Sequence, residues 1–326
     1  MKILIVRVSS LGDVVHNMPM VADILRRHPD AAIDWVVEEA YVDLVRLNPG
    51  VRRIIPLGLR RWRKNLFSSG TRTEMRAFRD ALRADAYDVV FDTQGLFKTG
   101  LVMRMARLAD GGRRIGLANG TEDSGYEGIS RIFHTTSVPV GLRTHAVERA
   151  RLVAAAALGY RIETPADFRL DAPALSPAWL PAEPYAVLFH GTARAAKQWP
   201  AEYWIRIARF VAARGLRILL PWGSAKEYGA ACDLAEHMPN ATVLPKLQMM
   251  EAVLLAQRSA LAIGVDTGLT HIAAAYNRPT IELYCDSPRW KTEGNWSPKI
   301  VNLGDTGQPP SPDEVEAAIL RLSETR

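Results

Sequence analysis

Four short stretches carry side chains able to bind an anion or move a proton. Ser9-Ser10-Leu11-Gly12-Asp13 follows the apolar run Ile3 to Val8 and precedes a segment of helical spacing. Ligands of open parallel sheets bind at the carboxyl ends of the strands. Asp13 therefore stands where a carboxylate can act as a base, and equally where it can simply cap a helix. The glycines there do not form the dinucleotide pattern GxGxxG. The second stretch runs from His190 through Thr192, Ala193 and Lys197 to Trp199-Pro200. A small hydroxyl and a lysine after a strand suit phosphate oxygens; the alternative is a solvated loop with Trp199 packed down. The third is Gly264-Val265-Asp266-Thr267-Gly268-Leu269-Thr270-His271. Backbone N–H groups at a helix start, with the Thr267 hydroxyl, offer a diphosphate site. Asp-Thr-Gly also occurs in aspartic proteases, which are all-β and do not fit here, and His271 alone reads as well as a core histidine. The fourth, Arg60-Arg61-Trp62-Arg63-Lys64, fits a solvated face, a nucleic-acid patch, or a grip on an anionic acceptor through paired guanidinium bonds.

The elements that must position these residues alternate strand and helix. Strands are expected at Ile3 to Val8, Ile33 to Val37, Arg53 to Pro56, Asp88 to Asp92 and Arg114 to Leu117. Helices are expected after Gly12, at Glu74 to Arg83, at Leu96 to Leu108 and at Thr144 to Leu158. The alternation lapses in a stretch punctuated by Pro165, Pro173, Pro177, Pro181 and Pro184, which reads as a linker. It resumes with strands at Tyr185 to His190, Arg217 to Leu220, Leu261 to Val265 and Thr280 to Tyr284, a helix at Ala201 to Arg214, and Gly215 as its C-cap. Ser311-Pro312-Asp313-Glu314 opens a last amphipathic helix: a serine N-cap, proline at N1 and glutamate at N3. Repeated strand-then-helix units mean α/β architecture with parallel sheets.

Composition narrows the partners. The chain has 326 residues, 48% hydrophobic and 23% charged, enough for two globular cores. Cys232 and Cys285 make no disulfide framework and match no metal-ligand spacing, so a reducing compartment is expected. The opening Ile3 to Val6 is only four apolar residues before Arg7, too short for a signal segment, and no run approaches a membrane span. The cytoplasm is the expected location. A net charge of +6 suits nucleic acid, an anionic membrane face or phosphorylated substrates, and no recognised nucleic-acid motif supports the first.

In their order and distances these motifs resemble the bacterial heptosyltransferases of glycosyltransferase family nine, over essentially the whole chain. The resemblance is carried by Ser9-Ser10-Leu11-Gly12-Asp13, Trp35-Val36-Val37-Glu38-Glu39, the cluster at 60 to 64, Asp92-Thr93-Gln94-Gly95-Leu96 and His145-Ala146-Val147-Glu148-Arg149. In the second half it continues with Lys197-Gln198-Trp199-Pro200, Pro221-Trp222-Gly223 and the Val265 to His271 segment. The pieces at 35 to 39 and 60 to 64 look like the branch that adds the first heptose to Kdo, and not like heptosyltransferase II.

The resemblance implies a GT-B fold, two Rossmann-like domains with parallel sheets facing across a cleft. The expected division is an acceptor domain over 1–165, a linker over 166–184, a nucleotide-sugar domain over 185–310, and a helix over 311–326 packing back on the first domain. It implies ADP-L-glycero-β-D-manno-heptose as donor, Kdo₂-lipid A as acceptor, and peripheral placement on the anionic cytoplasmic face of the inner membrane. Carried over by position, Asp13 is the general base of an inverting displacement. Thr192, Lys197, Asp266, Thr267, Gly268 and His271 surround the diphosphate, Glu227 takes the ribose hydroxyls and Leu247 packs on adenine. Ser10, Gly12, Arg60, Arg61, Arg63 and Lys64 meet the acceptor. No cofactor or metal is implied, and no Asp-X-Asp motif appears. The chain departs from the family at Ala193, where a second threonine is expected, and at Tyr284-Cys285-Asp286-Ser287-Pro288, where a Gly-Pro-Thr/Ser type of loop is usual.

Overall fold

The computed structural model describes residues 1–65, 68–192 and 194–324. The chain divides into two compact units, Met1–Asp171 and Ala172–Arg326. Part of the expected linker belongs to the first unit, where the Asn48 side chain donates to the Phe168 carbonyl at 3.2 Å and the Asp171 N–H to the Leu47 carbonyl at 2.8 Å. Trp179 belongs to the second, its Nε1 donating to Glu251 Oε1 at 3.0 Å.

The first unit contains β1 (Lys2–Val6), α1 (Leu11–Arg27), β2 (Ala32–Glu38), α2 (Val42–Arg46), β3 (Val51–Leu57), α3 (Leu59–Trp62), α4 (Ser69–Arg83), β4 (Ala86–Asp92), α5 (Phe97–Met105), β5 (Arg107–Leu117), β6 (Thr136–Val138) and α6 (Ala146–Leu158). Its six strands are parallel, in the order β3-β2-β1-β4-β5-β6. β1 reads as an unbroken apolar run because both of its faces are covered. Leu4 and Val6 pack with Phe78, Leu82, Val102 and Met103 of α4 and α5, while α1 and α6 pair with each other.

The second unit contains β7 (Tyr185–Phe189), α7 (Ala201–Ala212), β8 (Arg217–Leu220), α8 (Ala225–Ala235), β9 (Ala241–Val243), α9 (Met249–Arg258), β10 (Leu261–Val265), α10 (Gly268–Ala275), β11 (Thr280–Tyr284), β12 (Ile300–Gly304) and α11 (Pro312–Glu324). Its order, β12-β11-β10-β7-β8-β9, is the same doubly wound topology read from the other edge. Each sheet therefore has a switch point, between β1 and β4 in one and β7 and β10 in the other, where loops part and a ligand can enter.

Two expectations are corrected. The helix expected over Leu96 to Leu108 ends at Met105, and β5 already starts at Arg107. β5 shifts register on β4 between Tyr87 and Val89, through Gly111 at φ 73° and Gly112, where a Cβ would lie 2.7 Å from the Tyr87 carbonyl oxygen. The closing helix was expected to pack back on the first domain. Instead α11 buries Val315, Ala318, Ile319 and Leu322 in the core of the second unit, with α7, β11 and β12. Its charged side reinforces that seat, since Arg206 of α7 binds Glu316 at 2.8 Å and also pairs with Asp313.

α1 and α6 are clamped by a buried ion pair. Arg151 Nε meets Asp23 Oδ2 at 2.6 Å, Nη2 meets Oδ1 at 3.2 Å, and Nη1 meets Glu148 at 2.7 Å. Removing the arginine leaves the buried Asp23 carboxylate with only the more exposed Arg26, at 3.1 Å, so Arg151→Ala should cost about 3 kcal/mol in urea unfolding. Arg206→Ala, which breaks an exposed pair, should shift the same curve far less.

Candidate active site

At the switch point of the first sheet, β1 hands over to α1 through Arg7 to Ser10. Asp13 is the third residue of α1 and 36% exposed. Its Oδ2 accepts from the Ser10 N–H and hydroxyl, both at 3.0 Å, and its Oδ1 meets Arg7 Nη2 at 2.5 Å. Burial raises the carboxyl, but the Arg7 guanidinium, the Ser10 N–H, Arg149 and His16 outweigh it and hold Asp13 at about 2. The capping reading is thus realised, and it leaves a fully ionised carboxylate at the sheet's ligand edge. Ser10 is used as N-cap and Gly12 lies beside it, partly exposed, at the second helical position.

Arg7 is fixed from behind. Its Nη1 donates to the Thr93 carbonyl at 2.6 Å, and its own carbonyl accepts from Trp35 Nε1 at 3.0 Å. Thr93 belongs to a turn built on Asp92. That buried carboxylate accepts from the N–H groups of Gln94 and Gly95 and from the Thr99 hydroxyl, each at 3.0 Å. Burial pushes Asp92 up to about 6, against the pull of those bonds and of Arg7. Gly95, at φ 72°, lets the turn close. The motif at 92 to 96 is therefore the scaffold of Arg7.

The basic cluster and the Glu38-Glu39 pair are one unit. Glu38 Oε1 accepts from the Arg60 N–H at 3.0 Å, Glu39 grips Arg61 at 3.1 and 3.0 Å, and Glu74 binds Arg61 at 2.6 Å. Trp62 is buried against Phe78 with its Nε1 on Glu74 at 2.7 Å. Arg60 reaches Tyr41, and its charge lies 5.7 Å from that ring. Arg61 is thus committed within the protein. Arg63 and Lys64 are exposed and carry no side-chain partner among the described residues.

At the second switch point, Asp266 follows the last residue of β10, and Thr267 opens α10 without a hydrogen bond from its own side chain to the helix. α10 can lie against β10 because residue 264 is glycine: a Cβ there would lie 2.1 Å from Thr270 Oγ1 and 2.8 Å from Phe189 Cβ. Asp266 Oδ2 pairs with Lys197 and accepts from the Ser287 hydroxyl at 2.7 Å. Its Oδ1 accepts from His271 Nε2 at 3.0 Å and from Thr292 at 3.3 Å. The other ring nitrogen of His271 donates to Glu282 Oε1 at 2.9 Å. Burial works against a charged ring, but Glu282 and Asp266 prevail and raise His271 to about 10. Asp266 is driven well below the ordinary range: burial opposes its charge, and His271 and Lys197 overcome it. Glu282, wholly buried, is further held by the Gly294 N–H at 2.8 Å and the Tyr284 hydroxyl at 3.0 Å. His271 is a core histidine as the bland reading has it, yet one that carries charge.

Glu227 is the third residue of α8 and caps it, its Oε2 accepting from the Gly223 and Ser224 N–H groups at 2.7 and 3.0 Å. Oε1 faces Gly191, where a Cβ would lie 2.9 Å away. Thr192 and Leu247 are partly buried loop residues, and Ala193 lies outside the described residues. Trp199 is packed down as the alternative reading had it, edge-on to Trp204 with ring centroids 5.0 Å apart and Nε1 on the Pro310 carbonyl at 2.8 Å. The loop at 284 to 288, where the chain departs from the family pattern, supplies Ser287 to Asp266 and pairs Asp286 with Arg194 at 3.0 Å. A separate cavity of about 540 Å³, walled by Trp199, Pro200, Trp204, Leu234 and His237, does not include Lys197, Glu227 or Asp266. Sequence reasoning missed Arg7, Glu282, Ser287 and Thr292; the one available signal was a charged residue inside an apolar run, as Arg7 is between Val6 and Val8 and Glu282 between Ile281 and Leu283.

Comparison with known proteins meets this geometry. Residues 75–321 match the model of glycosyltransferase family 9 (heptosyltransferase). The chain is 40% identical to lipopolysaccharide heptosyltransferase 1 of Pseudomonas aeruginosa, over 87% of this chain and 78% of that protein. It is 37% identical to the Escherichia coli K12 protein of that name, over 87% and 88%. Heptosyltransferase 2 of Salmonella typhimurium is 23% identical, over 94% and 90%. The structure of E. coli heptosyltransferase WaaC with ADP superposes at a TM-score of 0.87 and 33% identity, covering 99% of this chain and all of that one. The two α/β units are those of a GT-B chain, and the chain belongs to glycosyltransferase family 9, the heptosyltransferases, as a lipopolysaccharide heptosyltransferase of type I.

Proposed function

We propose that the enzyme moves L-glycero-D-manno-heptose from ADP-L-glycero-β-D-manno-heptose to a Kdo hydroxyl of Kdo₂-lipid A, in one inverting displacement with Asp13 as base. The observation that carries this reading is the carboxylate of Asp13, ionised and open to solvent at the ligand edge of the first sheet. The acceptor oxygen attacks the anomeric carbon, the bond to the diphosphate oxygen breaks, ADP leaves, and the hydroxyl proton passes to Asp13. A carboxylate held this low is a weak base toward a resting hydroxyl. The hydroxyl grows acidic as its bond to the sugar forms, so the transfer falls late in the step.

The leaving diphosphate is assigned to the second unit; that the donor is an ADP-sugar is supported by two solved structures of E. coli WaaC, one with ADP and one with ADP-2-deoxy-2-fluoro heptose. The first N–H groups of α10, from Gly268 onward, have no partner within the helix and favour an anion. Thr192, Thr267, Lys197 and His271 belong to the same end. Asp266 would repel a phosphate on its own, but Lys197 and protonated His271 neutralise Asp266 and Glu282 together. Neither a metal nor a cofactor is needed for that charge balance. Glu227 keeps Oε1 for a ribose hydroxyl, and Leu247 is assigned to the adenine. On the acceptor side Ser10 and Gly12 border Asp13, while Arg60, Arg63 and Lys64 suit the acceptor's anionic groups. Arg61 contributes by holding that segment to Glu39 and Glu74. The same basic residues suit peripheral placement on an anionic cytoplasmic leaflet. Among the described residues no helix is long and apolar enough to cross a membrane.

ADP release, measured with EDTA present and with ADP-heptose and Kdo₂-lipid A each omitted in turn, tests the reaction; release must need both. Asp13→Asn should leave donor affinity intact and lower kcat by about 10² to 10⁴, and near-normal turnover would reduce Asp13 to a helix cap. In calorimetric titrations, Lys197→Ala should weaken ADP about tenfold or more, the worth of a charge-assisted bond. Glu227→Ala should do the same, with Glu227→Gln, which can still accept the cap bonds, lying between. ADP affinity should also depend on His271. Its folded value, about 10, lies above the ordinary 6.5, so its positive charge is fully present at neutral pH and is lost as pH rises through 10. Binding should therefore weaken in the alkaline range in the wild type, while His271→Gln binds weakly with a flatter profile.

A further inference from the structure

Three arginines of the first unit are buried: Arg7, Arg149 and Arg151. A guanidinium taken out of water needs an anion close by. Arg151 has Asp23 and Glu148, and Arg7 has Asp13. Arg149 is 8% exposed, and its only side-chain bond among the described residues is from Nη1 to the Thr121 hydroxyl at 3.1 Å. Among the described residues no carboxylate lies within ion-pair distance of it. Its surroundings do not relieve the charge. Burial and the like charge of Arg7 lower Arg149 to about 10, and the attraction of Asp13 only partly restores it.

Its place in the fold makes this an active-site matter. Arg149 lies in the first turn of α6, Thr121 follows β5, and Arg7 and Asp13 follow β1, all at the carboxyl edge of the sheet. The N-terminus of α6, capped by His145, adds its own positive potential there. Asp92 acts on Arg7 and is not among the charges that act on Arg149. Asp13 is thus the one carboxylate among the described residues that appreciably attracts Arg149, and it is already paired with Arg7 at 2.5 Å.

We propose that Arg149 is the carboxylate-binding residue of the acceptor site, receiving the acid group of the sugar whose hydroxyl Asp13 deprotonates. This rests on the reading of the Asp13 edge as the acceptor site and names the group recognised there. A planar guanidinium with one N–H on Thr121 still presents a fork that fits a flat carboxylate in two bonds. In a Kdo residue the carboxylate is attached to the same ring as the attacking hydroxyl, so gripping it orients that hydroxyl toward Asp13. A lipid phosphate offers the same charge from a different sugar, and the test separates the two sources. Binding also gives Arg149 an anion of its own, without drawing Asp13 away from its role.

The test compares a Kdo glycoside with its methyl ester as acceptors, for wild type, Arg149→Lys and Arg149→Met, with ADP-heptose affinity measured for each. In the wild type the ester should lower acceptor kcat/KM by about 10- to 100-fold, the loss of a charge-assisted fork. Arg149→Met should lose that factor on the free acid and lose little more on the ester. Arg149→Lys should fall between, and donor affinity should not move. Because the buried cation lacks a partner, Arg149→Met should unfold at or above the wild-type temperature, which sets a binding role apart from a structural one. An ester penalty as large in Arg149→Met as in wild type would overturn the proposal. So would an ester-insensitive wild type, which would point to phosphate, or a thermal collapse of both variants with donor and acceptor binding lost alike. Absence of transfer to either acceptor by the wild type would remove the Kdo reading itself, and this one with it.

Discussion

A parallel sheet covered by helices on both faces has no side through which charge can enter. Only the strand ends remain, and the carboxyl ends are where successive helices begin with unpaired N–H groups. Both units obey this constraint with the same strand order. Their reactive groups are consequently gathered at two points: Arg7, Asp13 and Arg149 at the end of the first sheet, and Lys197, Asp266 and His271 at the end of the second. Burial there penalises every charge, so each one must be answered by another. Asp266 is answered by Lys197 and His271, and His271 by Glu282 from the neighbouring strand. The chemistry available to a ligand is what this compensation leaves over.

Two residues proposed to meet ligands also cap their own helices. Asp13 and Glu227 each occupy the third position of a helix behind a serine N-cap, and each accepts a backbone N–H from the start of its own helix. Capping and catalysis were rival readings of Asp13, and its geometry is compatible with both; Glu227, read only as a ribose ligand, is a cap as well. A cap fixes the rotamer, so an oxygen that is not consumed by the cap is delivered in one direction. In Asp13 that second oxygen carries Arg7; in Glu227 it faces Gly191.

Much of this was legible in the sequence because local chemistry and tertiary placement agree. Ile3 to Val6, Leu261 to Val265 and Thr280 to Tyr284 are apolar runs of strand length, and the serine-to-glutamate signature at 311 to 314 starts α11 where expected. The misses arose where tertiary contacts decide. β5 begins in Arg107-Leu108-Ala109-Asp110-Gly111-Gly112, which has neither strand alternation nor β-branched residues and pairs only because β4 is beside it. The partner of α11 could not be read from its own amphipathic face, which states that something is buried and not against what. In the site, Asp13, Lys197 and His271 were visible through motifs. Glu282 was read only as part of a strand, because its importance comes from register: β11 lies next to β10, and that alone sets its carboxylate against His271.

The seat of α11 has a consequence for how the protein is made. Val315, Ala318, Ile319 and Leu322 are core residues of the second unit, packed with α7, whose residues precede them by about a hundred positions. The first unit has its strands, α1 and α6 in hand once residue 171 has left the ribosome and can fold while synthesis continues. The second cannot close its core until the segment through Leu322 has emerged. Until then the faces of α7 and β11 that α11 covers stay open to water, so the second unit is the part of the nascent chain with the longest need of protection from aggregation.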